Sequence, residues 1–132
     1  MTEPTSKQTA YLADVIAHRR AWAVGLLARG RPEDLSSAAA MLARVDSIDE
    51  PATAEDASHA ISVAQGRFHE LPRDVRRAEQ ARHRDRARVA RQVRRHRDAL
   101  APAVEAASAG DDETALRVLR DVIADVRAEA AE

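Results

Sequence analysis

The chain has 132 residues, with 21 basic and 22 acidic side chains and a net charge of −1. It contains no cysteine, which excludes disulfides, thiolate metal sites and cysteine nucleophiles. Its aromatic residues are Tyr11, Trp22 and Phe68, and no stretch alternates apolar and polar residues as a strand does. Alanine, leucine and valine must therefore fill the core. We predict an all-α fold, a small helical bundle.

The first helix begins at Ser6 in this prediction, because Thr5 and Gln8 have the spacing of a capping box. Its apolar residues share one broad face, which is typical of a helix inside a bundle. Gly30 should end it by taking the left-handed conformation that glycine tolerates.

Two further helices complete the N-terminal part. Pro32 suits the first turn of the second helix, because its missing N–H would have no partner there. A loop at 46–53 follows, and Thr53 caps the third helix. The helical spacing of apolar residues continues to Leu71, so Pro72 is the residue expected to end or bend this helix.

The C-terminal part is predicted to hold one long helix and an α-hairpin. The long helix covers 73–100, about 40 Å, and Pro102 should break it. A short helix and a last one, starting at Asp111 or Asp112, then pair as the hairpin. We therefore divide the chain into a three-helix module at 1–72 and a basic helix with hairpin at 73–132, packed as one domain.

An apolar seam runs along the last helix, with alternating spacings of three and four residues. It consists of Leu116, Leu119, Ile123 and Val126. A second copy of the chain or its own helices must cover this seam. Because the long fourth helix offers few apolar residues to a core, we expect a homodimer.

Several N-terminal residues stand at spacings that recur in a known module. They are Thr5, Gln8, Tyr11 and Leu12, then His18-Arg19, Thr53, Ala57-Ser58 and Ile61, and finally Leu71-Pro72. In these positions the chain resembles a small helical module of actinobacterial and actinophage proteins, which opens with T-x-x-Q-x-x-Y/F-L/I and closes with T-x-x-x-A-S-x-x-I and L-P. That module has no assigned function. The resemblance implies a helical fold over residues 5–72 and no catalytic residues.

Charge is divided unevenly along the chain. Residues 1–71 carry seven basic and ten acidic side chains, 72–99 carry eleven arginines and four acids, and 100–132 carry three arginines and eight acids. Eight arginines of the basic segment fall within about 120° on a helical wheel. This arginine stripe consists of Arg73, Arg76, Arg77, Arg84, Arg88, Arg91, Arg94 and Arg95.

The arginine stripe allows three interpretations. It could be a solvated surface, or it could dock on the acidic strip Asp121, Asp125 and Glu129 of the last helix. It could also bind an anionic partner, either an acidic protein surface or a nucleic acid. Guanidinium groups suit phosphate because they can bind two oxygens at once. We favour nucleic-acid backbone as the ligand, with an interaction or assembly subunit, possibly phage-encoded, as the alternative.

No residues have the spacing of a known catalytic, metal or cofactor site, so we expect none of the three. The glycines are isolated, and Arg73 stands where a zinc-protease motif beginning at His69-Glu70 needs its second histidine. Glu55/His59 and Glu79/His83 are i, i+4 pairs of the kind that stabilise helix surfaces. No apolar run is long enough to span a membrane, and we expect a cytoplasmic protein.

Overall fold

The computed structural model describes residues 2–131, and the side chains among them as far as Ala130. This range contains six α-helices, two short 3₁₀ segments and no strand, so the all-α prediction is confirmed. The helices are α1 (Ser6–Arg29), α2 (Pro32–Asp46), α3 (Ala54–Gln65), α4 (Arg73–Gln92), α5 (Arg97–Ser108) and α6 (Asp112–Ala131).

The ends of the first three helices follow from local sequence. The Thr5 hydroxyl accepts a hydrogen bond from the Gln8 backbone N–H at 3.0 Å, and the Gln8 side chain accepts one from the Thr5 N–H, which completes the capping box. Gly30 ends α1 with a φ of 71°. The Thr53 hydroxyl accepts a hydrogen bond from the Asp56 backbone N–H at 3.0 Å, so Thr53 caps α3 as predicted.

The third helix is shorter than predicted. It ends at Gln65, because Gly66 adopts a φ of 75° and its N–H bonds back to Ser62 and Val63. A 3₁₀ segment at Phe68–Glu70 then carries the chain to Pro72. The apolar spacing up to Leu71 was therefore misleading. The Leu71 side chain is buried, but its backbone is extended and lies beyond the end of the helix.

The predicted single helix over 73–100 is wrong in its C-terminal boundary. α4 ends at Gln92, and a 3₁₀ segment at Val93–His96 turns the chain into α5. Pro102 lies inside α5 instead of breaking the chain. Only one backbone donor is lost there, and the early turn lets Leu100 join the core with no exposed surface.

One hydrophobic core draws on both halves of the chain. Its fully buried large side chains are Leu27 of α1, Leu35, Leu42 and Val45 of α2, Val89 of α4, Val93 of the 3₁₀ segment, Leu100 of α5, and Leu119 and Val126 of α6. The seam of α6 is therefore covered within the chain, with Leu119, Ile123 and Val126 buried and Leu116 packed at the edge. No second copy is needed to bury it.

Candidate nucleic-acid interface

The arginine stripe lies mainly along the outer surface of α4. Arg73, Arg77, Arg84 and Arg91 are exposed and fall within about 40° of one another around the helix axis. They extend over about 27 Å of helix. Arg76 lies beside them, half-buried. α4 thus presents a straight row of guanidinium groups to solvent.

Three predicted members of the stripe lie in a different setting. Arg94 and Arg95 follow the end of α4, on the 3₁₀ segment. The Arg94 Nε donates to the Ser36 hydroxyl of α2 at 2.7 Å, and Arg88 pairs with Asp85 at 2.9 Å. The end of α4 at Gln92 therefore ends the straight row at Arg91.

The rest of the stripe has no acidic partner among residues 2–130. No carboxylate oxygen there comes within 4.0 Å of Arg73, Arg76, Arg77, Arg84, Arg91 or Arg95. The acidic strip of α6 does not reach them either: Glu129 contacts His96 at 3.3 Å, whereas Asp121 and Asp125 are exposed without an ion pair in this part of the chain. The basic charge of the outer surface of α4 is thus left to solvent.

The inner side of α4 holds a buried ion pair that the sequence did not lead us to predict. Glu79 and Arg86 are each only 3% exposed. Arg86 donates to the Glu79 carboxylate at 3.0 Å and to the Ser47 hydroxyl at 2.6 Å, while Arg82 donates to the other Glu79 oxygen at 2.8 Å. Through Arg86, this pair connects α4 to Ser47 at the end of α2.

Further positive charge surrounds this pair. Burial lowers the pKa of Arg44, and the nearby Arg19 and Arg86 lower it further, against the opposing effect of Glu79. Arg44 donates to the Ala64 carbonyl at 3.3 Å, but its Nε and that of Arg19 are buried without a hydrogen-bond partner. Glu79 is therefore the carboxylate that compensates a cluster of arginines.

A second carboxylate connects three helices. Asp46, at the end of α2, accepts from Arg20 of α1 at 3.0 Å and from Arg120 of α6 at 2.7 Å. Burial raises the pKa of Asp46, but the hydrogen bonds from Arg120 and Arg20 and their charges lower it more, so that the net shift is downward. Hydrogen bonding from Arg88 similarly lowers the pKa of Asp85.

These lowered pKa values predict loss of stability in acid. A carboxyl group with a lowered pKa in the folded state stabilises the fold above its unfolded-state pKa of about 3.9, and that contribution disappears as pH falls through the folded-state value. We expect a nearly constant urea midpoint from about pH 8 to about pH 5 and a steep fall below about pH 4. Asp46→Asn should lower the midpoint at neutral pH and flatten this acid limb, whereas Asp121→Asn, at an exposed position, should change neither. An unchanged acid limb in Asp46→Asn would contradict this assignment.

Among the residues that the structure describes, no three His, Asp or Glu side chains gather closely enough to hold a metal ion. An open cleft of about 340 Å³ lies between α3, α4 and the loop before α3, and its lining residues include Asp49, Glu50, Asp56, Val63 and Val75. None of the helices within this range is long and apolar enough to cross a membrane.

A comparison with models of protein families, with curated proteins and with solved structures found no match to this chain.

Proposed function

We propose that the protein is a non-enzymatic helical binding protein that contacts the backbone of a duplex or structured nucleic acid through α4. The observation that supports this most is the row Arg73, Arg77, Arg84 and Arg91, exposed along one line without acidic partners among the described residues. Like charges at this density repel one another. An anionic surface would relieve that repulsion.

The dimensions of the row suit a polyphosphate. The row is about 27 Å long, and duplex DNA carries one negative charge per ~1.7 Å of its axis, so several phosphates lie within reach of the row. Each guanidinium group can bind two phosphate oxygens. Contacts of this kind supply affinity and orientation without reading the base sequence.

The placement of aromatic residues favours duplex over single strands. Proteins that hold single-stranded nucleic acid stack bases on aromatic side chains near a basic groove. No Phe, Tyr or Trp lies between Pro72 and the end of the chain, and Phe68 of the preceding 3₁₀ segment packs edge-on against His83 of α4, with the ring centres 5.5 Å apart. The exposed Tyr11 and Trp22 belong to α1 instead.

An acidic protein surface is the second candidate partner, because the same unpaired arginines would complement it. A fluorescence anisotropy titration with labelled duplexes of unrelated sequence, at about 50 mM salt, separates the two candidates. We expect similar binding to every duplex. Absence of binding to both DNA and RNA duplexes at that salt concentration would exclude nucleic acid and leave the protein partner.

A further inference from the structure

Arg19 of α1 and Arg44 of α2 are two neighbouring arginines without a paired carboxylate in residues 2–130. Neither guanidinium lies within 4.0 Å of a carboxylate oxygen there, and the Nε atoms of both are buried without a hydrogen-bond partner. Glu79 is the carboxylate whose charge reaches Arg44, but it already accepts from Arg82 and Arg86. An arginine cannot remove such a surplus of charge by losing its proton.

The contacts that these two side chains do make compensate only part of their charge. Arg44 donates to the Ala64 carbonyl at 3.3 Å, at the C-terminal end of α3, where the helix dipole favours a cation. The Arg19 guanidinium carbon lies 5.3 Å from the centre of the Trp22 ring, whose electron-rich face attracts a cation. A helix end acts as about half a unit charge, so a surplus of positive charge remains.

A glycine holds the Arg44 guanidinium in place at the end of α3. A Cβ built at Gly66 would lie 3.3 Å from the Arg44 Nη1 and 3.7 Å from its Cζ, so the guanidinium rests against the bare backbone. Arg19 and Arg44 are each partly exposed, while Gly66 and Trp22 beside them are exposed. The two guanidinium groups are therefore fixed at a place that a small ion can reach from solvent.

We propose that Arg19 and Arg44 bind a small divalent oxyanion, of the kind of inorganic phosphate or sulfate, where α1 and α2 meet the C-terminal end of α3. The planar fork of a guanidinium binds two oxygens at once, and a tetrahedral oxyanion has enough oxygens for two forks. Two negative charges match two arginines. Chloride lacks both the second charge and the paired oxygens.

This anion site is separate from the row of arginines on α4. The row lies on the outer surface of α4, whereas Arg86, whose charge reaches Arg44, lies on the inner side and is 3% exposed. Repulsion from Arg19 and Arg86 contributes to the lowered pKa of Arg44, and a bound anion offsets this repulsion. The oxyanion therefore stabilises the fold itself, whether or not α4 binds a nucleic acid.

The test is thermal unfolding near neutral pH, in chloride alone and with inorganic phosphate or sulfate up to about 20 mM at constant ionic strength. Either oxyanion should raise the Tm of wild type by about 4–8 °C along a saturation curve, because a ligand that binds only the folded state stabilises it. Trp22, the single tryptophan, adjoins Arg19, so its emission intensity should change with the same midpoint. A wild type with no saturable response to either oxyanion would overturn the proposal.

Arg19→Gln should lose most of the Tm rise and the change in emission, and in chloride alone its Tm should fall by no more than about 2 °C, since it removes a surplus charge. Arg29→Gln is the matched control, because Arg29 is exposed on the same helix without an ion pair among residues 2–130, and it should keep the full response. An Arg19→Gln protein that responds as wild type does would overturn the proposal. So would loss of the response on changing Arg77, Arg84 and Arg91 to glutamine, because the oxyanion would then bind to α4.

Discussion

Glu79→Gln should cost about 3–5 kcal/mol of unfolding free energy, the range for breaking a buried ion pair by removing one partner. Glutamine preserves the shape of the side chain but leaves Arg86, which is 3% exposed, without its counter-charge. Burial and the nearby Arg19 and Arg86 already lower the pKa of Arg44, and Glu79 is the group that opposes this effect, so removing the Glu79 charge worsens the imbalance. Against a total stability of about 5–15 kcal/mol, such a loss would leave a marginal fold.

Urea unfolding followed by circular dichroism measures this loss. Glu105→Gln is the control, because Glu105 is exposed without an ion pair among residues 2–130, and it should change stability by less than about 0.5 kcal/mol. The double change Glu79→Leu with Arg86→Met removes both charges and should recover most of the loss. A cost below about 1 kcal/mol for Glu79→Gln would mean that the pair is not buried in solution.

The second large effect concerns α4 as a ligand surface. Changing Arg77, Arg84 and Arg91 together to glutamine should weaken duplex binding by on the order of 100-fold at low salt, equally for all sequences. Since these arginines have no acidic partner among the described residues, their removal also relieves repulsion. Tm should therefore stay the same or rise slightly.

A charge-matched variant isolates position from net charge. Arg29, Arg97 and Arg117 are exposed, lie outside the stripe and have no ion pair within 4.0 Å in the described residues. Changing these three to glutamine removes the same charge and should weaken binding by no more than about threefold, through the general field of the protein. Equal losses in the two triple variants would show that binding follows net charge and not α4.

Local signals in the sequence were sufficient for most helix ends. The hydroxyls of Thr5 and Thr53 bond to backbone N–H groups three residues away, so their role is visible in the sequence itself. The end of α4 was not visible, because no proline or glycine marks Gln92. There the packing of Val93 and Leu100 into a shared core decides where the chain turns.

The sequence also predicted only part of the candidate site. Arginine periodicity predicted which side of α4 is basic, but the sequence does not distinguish a buried arginine from an exposed one. The spacing along α4 places three charged residues on the same side of the helix as Val75 and Val89, namely Glu79, Arg82 and Arg86. Charged residues among apolar ones on one side of a helix were the feature of the sequence that could have indicated the ion pair. Likewise, the seam of α6 predicted a buried surface, but the sequence did not indicate whether a second copy or the chain's own helices cover it.

The measurement that tests the proposed function most directly is the salt dependence of duplex binding. If α4 neutralises about four to six phosphates, each contact releases condensed counterions, and log K should fall against log salt with a slope of roughly −4 to −5. The triple variant of Arg77, Arg84 and Arg91 should make that slope shallower by about 2.7, while the control variant leaves it unchanged. A wild-type slope near zero, or a slope that the triple variant does not alter, would contradict binding through the arginine stripe.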